Sequence, residues 1–109
     1  MPQNKAVGIY GDYNLIDGCE IHDGTASAIF SYGQDGVQPS YNVFRNNRIY
    51  NFTTAADGGS QSNHIGIAIY TGPGNAAYNN VLFNVGGPAI QSTSGAADTL
   101  IVNNTIYQV

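Results

Sequence analysis

The feature that most constrains the fold of this chain is an internal repeat. Four blocks of the sequence align with one another without a gap: residues 13–24 (YNLIDGCEIHDG), 41–52 (YNVFRNNRIYNF), 74–85 (GNAAYNNVLFNV) and 98–109 (DTLIVNNTIYQV). One column of this alignment is aliphatic throughout and consists of Ile21, Ile49, Leu82 and Ile106. A short repeated unit buries its apolar face against neighbouring units, so we expect the chain to fold by stacking its repeats.

A shorter strand-like segment precedes each block, and its four copies read GIYG, AIFS, AIYT and AIQS, starting at residues 8, 28, 68 and 89. Within the blocks, apolar and polar residues alternate with a period of two, which is typical of strands and not of helices. Each unit is therefore predicted to be a short strand, a corner and a two-strand block. Members of the aliphatic column lie 28, 33 and 24 residues apart, and the longer spacings indicate loop insertions at residues 32–39 and 53–63.

The blocks FRNNRIYNF, AYNNVLFNV and IVNNTIYQV resemble the rungs of the right-handed parallel β-helix in the pectate-lyase-like superfamily. The resemblance implies one all-β domain of about four rungs with three short strands each and little or no helix. The rungs are placed at residues 6–24, 25–52, 53–85 and 86–109. No single activity is implied, because polysaccharide lyases, galacturonases, alginate epimerases and phage tailspikes share this fold. Whether the chain is a fragment of a longer β-helix stays open.

The alternation predicts which side chains point into the coil. The first strands contribute the isoleucines Ile9, Ile29, Ile69 and Ile90, which are expected to pack against the aliphatic column. A corner column consists of Gly18, Asn46, Asn79 and Asn103. We expect these asparagines to point inward and form a ladder, because an amide carries both donors and acceptors and tolerates an identical neighbour.

Charge and hydropathy exclude two classes of partner. The chain has three basic and seven acidic residues and a formal net charge of −4, so it lacks the basic surface that binds nucleic acid. The longest apolar stretch, residues 65–70, is far shorter than the roughly 18 residues of a membrane span. The opening residues, MPQNK, do not resemble a signal peptide, while the family resemblance implies an extracellular or cell-surface setting. The single cysteine, Cys19, excludes an internal disulfide.

The alignment also places opposite charges on neighbouring rungs. Asp17 lies opposite Arg45, and Glu20 lies opposite Arg48. Both pairs are in outward columns, where opposite charges across neighbouring strands contribute roughly 0.2–1 kcal/mol. We therefore predict two cross-rung ion pairs that hold the register.

Aromatic side chains form two predicted outward stripes. The first strands contribute Tyr10, Phe30 and Tyr70, and the third strands contribute His22, Tyr50, Phe83 and Tyr107. Stacked aromatic neighbours stabilise a sheet by themselves. Flat rings with hydroxyl tips are also a platform for sugar rings. The six tyrosines and phenylalanines of the stripes are therefore the candidate ligand-binding residues, together with the two long loops.

No catalytic motif of the β-helix enzymes is complete in this sequence. By resemblance, a lyase requires several calcium-binding carboxylates and a free Arg or Lys, and a galacturonase requires closely spaced aspartates. The nearest approach to a catalytic group is the epimerase-like set of Glu20, His22, Asp23 and His64, near Tyr50. His22 is either a solvated strand residue beside Asp23 or an acid/base group that faces Tyr50 and the His64 loop.

We expect no metal and no cofactor, although one calcium alternative is kept. Residues 57–63 (DGGSQSN) resemble a calcium-binding turn in a single imperfect copy. Calcium-binding repeats of this kind need several stacked copies of a stricter pattern. The sequence therefore leaves calcium only as an alternative.

The sequence predicts a non-catalytic carbohydrate-associated or structural β-helix module. Polysaccharide would be the ligand, and unpaired strand edges on the end rungs are expected to mediate homo-oligomerisation. A polysaccharide-active enzyme, or a fragment of one, is the first alternative. A module that serves assembly alone is the second.

Overall fold

The computed structural model describes residues 5–33, 35–52 and 64–108. Within these ranges the chain forms twelve short strands and no helix. The strands are β1 (Lys5–Ile9), β2 (Leu15–Asp17), β3 (Glu20–His22), β4 (Ser27–Ser31), β5 (Val43–Arg45), β6 (Arg48–Phe52), β7 (Ile67–Pro73), β8 (Ala76–Tyr78), β9 (Val81–Val85), β10 (Ile90–Ala97), β11 (Leu100–Val102) and β12 (Thr105–Tyr107). In the described ranges, nothing forms a helix long and apolar enough to cross a membrane.

The strands form three sheets, and every strand pairs in parallel with its equivalents in the neighbouring rungs. The first sheet has the order β1-β4-β7-β10, the second β2-β5-β8-β11 and the third β3-β6-β9-β12. The chain thus visits the three sheets in turn and completes one rung with every third strand. This topology confirms the predicted parallel β-helix of about four rungs.

The register confirms the predicted columns in the second and third sheets. Ile21 pairs with Ile49, Ile49 with Leu82, and Leu82 with Ile106. In the first sheet the predicted alignment is wrong by two residues. Ile29 pairs with Val7 and Ile67, where the sequence alignment had placed Ile9 and Ile69.

A two-residue error is physically understandable, because side chains alternate with a period of two and such a shift keeps the same face inward. The core isoleucines of the first strands are therefore buried or partly buried as predicted. The core cluster comprises Ile9, Ala28, Ile29, Phe44, Ile49, Phe52, Ile67, Ile69, Ala77 and Leu82, with Ile90 packed against it. In the outermost strands β11 and β12, the equivalent Ile101 and Ile106 are exposed.

The chain turns its corners through residues with positive φ. The second corner uses Gly18, Asn46, Asn79 and Asn103, with φ between 54° and 71°. Glycine and asparagine adopt this left-handed conformation most readily. The three asparagines are exposed, so the prediction that they point inward is wrong. The left-handed residue interrupts the strand alternation, and the residue that follows it points inward instead.

The buried ladder is formed by these following residues, Asn47, Asn80 and Asn104. The backbone amides of Asn47 and Asn80 each donate to the Oδ1 atom of the next rung's asparagine at 3.0 Å. The Nδ2 atoms of all three side chains donate to backbone carbonyls at 3.0–3.1 Å. An asparagine ladder is therefore confirmed, one residue later than predicted.

A second ladder at the first corner was not predicted. The Asn14 amide donates to Asn42 Oδ1 at 2.8 Å, and the Asn42 amide donates to Asn75 Oδ1 at 2.9 Å. Both ladders satisfy backbone donors that the corners would otherwise leave buried and unpaired.

Candidate functional site

The third sheet carries a continuous column of stacked rings, defined by His22, Tyr50, Phe83 and Tyr107. Successive ring centroids are 5.0, 4.7 and 4.9 Å apart, with interplanar angles of 6°, 3° and 7°. Since these residues are direct register partners, the predicted alignment of this stripe is correct. Each inner ring has both faces covered by its neighbours. The column consequently presents ring edges and polar tips to solvent.

Charged groups flank this ring column. The Arg48 guanidinium lies 5.6 Å from the Tyr50 ring centroid and 5.5 Å from that of Phe83. The Tyr50 hydroxyl donates to the Glu20 carboxylate, and this hydrogen bond is the main cause that raises the pKa of Tyr50. Glu20 and Arg48 are opposite in register, but the predicted ion pair between them is not among the contacts of the described residues. Arg48 thus lies near the aromatic rings, and Glu20 accepts from the Tyr50 hydroxyl.

The other predicted cross-rung ion pair is confirmed. Arg45 Nη2 lies 3.2 Å from Asp17 Oδ2, and Asn46 Nδ2 donates to Asp17 Oδ1 at 3.0 Å. The Asn46 hydrogen bond, followed by the Arg45 contact, lowers the pKa of Asp17. Arg45 Nη1 also donates to the Tyr78 hydroxyl at 3.3 Å, so both terminal nitrogens of the guanidinium have partners on neighbouring rungs.

The structure brings three of the four catalytic candidates together on the exposed side of the third sheet. His22 Nδ1 lies 2.5 Å from Asp23 Oδ2, and this contact is the main cause that lowers the pKa of Asp23. Glu20 is engaged by Tyr50 on the same surface. The fourth candidate, His64, is only 1% exposed and lies in the interior just before β7. A surface grouping of His22 with His64 is therefore not formed.

The calcium alternative falls on residues 57–63, which lie outside the described residues, as does the whole predicted loop 53–63. Within the described ranges, no group of three or more His, Cys, Asp or Glu side chains is arranged to hold a metal ion. Cys19 is an exposed free cysteine.

The outer face of the first sheet carries a second aromatic cluster. Phe30 contacts Tyr70 with ring centroids 5.0 Å apart, and Tyr32 lies 6.1 Å from Phe30 and 6.3 Å from Tyr70. All three contacts are edge-to-face, with interplanar angles of 64° to 89°. Lys5 Nζ lies 5.1 Å from the Phe30 ring centroid and 5.6 Å from that of Tyr10. Although their register differs from the alignment, the predicted residues Tyr10, Phe30 and Tyr70 thus share this face.

Polar groups border these rings. The Tyr70 hydroxyl donates to Gln91 Oε1 at 2.8 Å, and burial raises the pKa of Tyr70. Gly33, in the predicted loop, lies against β7, where its backbone amide donates to Thr71 Oγ1 at 2.8 Å. We call Tyr10, Phe30, Tyr32, Tyr70 and Gln91 the first-sheet aromatic face.

Two members of this face were not in the predicted stripes, although Tyr32 begins the predicted loop at residues 32–39. Tyr32 lies two residues after Phe30, and residues with this spacing share one face of a strand. That spacing was a usable signal in the sequence. Gln91 carried no such signal, since its role depends on the Tyr70 hydroxyl in a neighbouring rung. Phe30 itself is buried, and its ring contacts those of Tyr32 and Tyr70.

Stacked parallel strands, asparagine ladders and ordered outward rings define a parallel β-helix protein with a patterned aromatic surface. The chain belongs to the family described as the right handed beta helix region, which matches residues 2–109. Comparisons with curated proteins and with solved structures found no match. Family membership establishes the fold, and it leaves the function to be argued from the surface.

Proposed function

We propose that this chain is a non-catalytic β-helix module that binds carbohydrate through the first-sheet aromatic face. The observation that carries the proposal is the combination of partly exposed rings and an oriented polar pair on one side of the sheet. Tyr10 and Tyr32 are 49% and 38% exposed. Tyr70, whose ring is 6.3 Å from that of Tyr32, donates its hydroxyl to Gln91 Oε1 in the neighbouring strand. Sugar binding uses this combination, because the C–H face of the ring packs on an aromatic side chain while its hydroxyls need hydrogen-bond partners.

The ring column of the third sheet is less suited to that role. A sugar ring packs on an aromatic face, and the inner faces of this column are already occupied by the neighbouring rings. The column is better explained as a stabilising rib, since each stacked aromatic pair contributes about 0.5–1.5 kcal/mol beyond its buried area. Tyr50, Phe83 and Tyr107 are accordingly proposed to hold the rungs together.

A polysaccharide-active enzyme is the alternative, and one observation favours it. Asp23 contacts His22 Nδ1, and a carboxylate in that position fixes the tautomer and orientation of a histidine that acts as a base. Glu20 and Tyr50 lie on the same surface. An enzyme centred on this group would lose its turnover in a His22→Ala variant.

An assembly role is the second alternative, supported by the exposed aliphatic residues of the outermost strands. Leu100, Ile101 and Ile106 are exposed in β11 and β12. Their backbone edges are also free to pair with another strand in the described part of the sheets. Association of two copies through these strands is compatible with carbohydrate binding on the side of the coil.

Isothermal titration calorimetry separates these functions. The protein is titrated with soluble β-glucan, galactomannan, polygalacturonate and alginate, and we expect saturable heat with at least one of them. Tyr32→Ala is expected to weaken binding at least tenfold. The matched control, Tyr107→Ala, removes an exposed tyrosine from the ring column and is expected to leave the affinity within about twofold.

The other outcomes of the titration contradict the proposal. Sustained heat that disappears in His22→Ala identifies an enzyme. Absence of heat with every polymer removes carbohydrate binding and leaves assembly as the better explanation. Equal losses in Tyr32→Ala and Tyr107→Ala show that the first-sheet aromatic face has no special role.

A further inference from the structure

Two tyrosines occupy a backbone conformation that tyrosine rarely adopts. Tyr13 and Tyr41 have φ values of 58° and 57° at the first corner of successive rungs. Every other described residue with positive φ is a glycine, an asparagine or an aspartate. A residue with a bulky side chain is strained in this region, whereas glycine and asparagine are tolerated. The backbone is therefore strained at the first corner of two successive rungs.

The two strained residues form a well-defined pair. Their rings are stacked with centroids 5.4 Å apart and an interplanar angle of 13°. Their amides are held by neighbouring rungs, since Tyr13 N donates to Ser40 O and Tyr41 N donates to Pro73 O, both at 3.0 Å. The Tyr41 ring lies over Gly74, where a Cβ atom would stand only 2.4 Å from Tyr41 Cδ1. The corner is thus shaped to hold these rings in place.

Packing does not explain why tyrosine stands at these corners. Tyr13 is 77% exposed and Tyr41 is 51% exposed, so neither contributes to the core. Beyond the area that it buries, one stacked ring pair contributes about as much as a single left-handed residue costs, and two such residues are present. Strain that stability does not require is typical of functional positions. A ligand is therefore the reason that we infer for tyrosine at these corners.

The charges of the chain indicate what kind of ligand fits the pair. The only three basic residues are Lys5, Arg45 and Arg48. Arg45 is engaged by Asp17, and Lys5 and Arg48 lie over aromatic rings. In the described contacts none of these three cations touches Tyr13 or Tyr41, and the net charge of −4 repels an anionic polymer. One face of the Tyr13 ring stacks on Tyr41, and Tyr41 also lies over Gly74. The outer face of Tyr13 and the two hydroxyls are therefore the surfaces that suit an uncharged sugar ring.

We propose that Tyr13 and Tyr41 form a stacking site for a neutral polysaccharide. The inference rests on the proposed function and specifies it, because it adds two contact residues and names the class of glycan. Tyr13 follows Tyr10 around the first corner, and Tyr41 follows the loop that begins at Tyr32. The pair accordingly extends the first-sheet aromatic face around the first corner, towards the second sheet.

The test uses the double variant Tyr13→Asn/Tyr41→Asn, because asparagine is the residue that the second corner uses at the equivalent positions. Relief of the strain is expected to keep or raise the melting temperature. Loss of the rings is expected to weaken binding to soluble β-glucan or galactomannan at least tenfold. The matched control, Tyr13→Phe/Tyr41→Phe, keeps the rings and is expected to stay within about threefold of the parent affinity.

Each contrary result has a distinct meaning. Unchanged affinity in the asparagine variant, with binding still lost in Tyr32→Ala, overturns this inference while the proposed function stands. A fall in melting temperature of the asparagine variant assigns the pair a structural role and also overturns it. Tighter binding of polygalacturonate than of every neutral polymer contradicts the proposed glycan class. Absence of binding by the parent protein refutes the proposed function itself.

Discussion

Asn80 is the residue of the buried ladder whose replacement we expect to destabilise the coil strongly. Its side chain is 1% exposed, and its Oδ1 atom accepts from the Asn47 amide at 3.0 Å. Its Nδ2 atom donates at 3.0 Å to the Phe44 carbonyl and to Asn104 Oδ1. One side chain therefore connects three rungs at a buried corner.

Replacing Asn80 with alanine removes partners from two backbone groups, the Asn47 amide and the Phe44 carbonyl. A buried polar group left without a partner costs about 1–3 kcal/mol, so the two groups together cost about 2–6 kcal/mol. The free energy of unfolding of a small domain is only about 5–15 kcal/mol. The variant is thus expected to lose a large share of its stability.

Urea unfolding followed by circular dichroism measures this loss, with Asn79→Gly as the matched control. Asn79 is the exposed neighbour of Asn80 and has a φ of 57°, which glycine accepts without strain, so its replacement is expected to change stability by less than about 1 kcal/mol. A loss below about 1 kcal/mol in Asn80→Ala would refute the ladder argument. Equal losses in the two variants would do the same.

Three further predictions concern the charges, a corner and the outermost strands. The Asn46 hydrogen bond lowers the pKa of Asp17 below its ordinary 3.8 in the folded state. Ionised Asp17 therefore contributes its full stabilisation of the folded state above pH 3.8. This stabilisation is lost as the pH falls below that value, so urea midpoints should depend less on acid pH in Asp17→Asn. Gly74→Ala combines a φ of 74° with a clash against the Tyr41 ring and should cost more than about 1 kcal/mol in thermal unfolding. Ile106→Asp should abolish any self-association seen by sedimentation, and a folded variant with unchanged mass would refute association through β12.

The sequence alignment predicted the second and third sheets almost completely. Each rung there contains the same short block, so the aliphatic column pairs in the structure as it does in the alignment. The first strands are joined to the blocks by segments of unequal length. Alternation alone does not distinguish registers that differ by two residues, which is why Ile29 was aligned with Ile9 and not with Val7.

The ladder and one ion pair show where alternation stops being informative. A left-handed residue at the corner reverses the phase of the strand, so Asn47 is buried and Asn46 is exposed. The predicted partners Asp17 and Arg45 are in contact. Glu20, although opposite Arg48 as predicted, accepts a hydrogen bond from the Tyr50 hydroxyl, while the Arg48 guanidinium lies near the Tyr50 and Phe83 rings.

The repeat in the sequence determined the coil, the columns and the identity of the residues that stack, because stacking follows directly from equivalent positions in equivalent units. The tertiary structure alone decided which surfaces of those residues remain available. The rings of the third sheet cover one another, whereas Tyr13 and Tyr41 are strained and exposed at a corner. The exposure and the backbone conformation of a residue depend on how the neighbouring rungs pack against it, and that packing exists only in the folded coil.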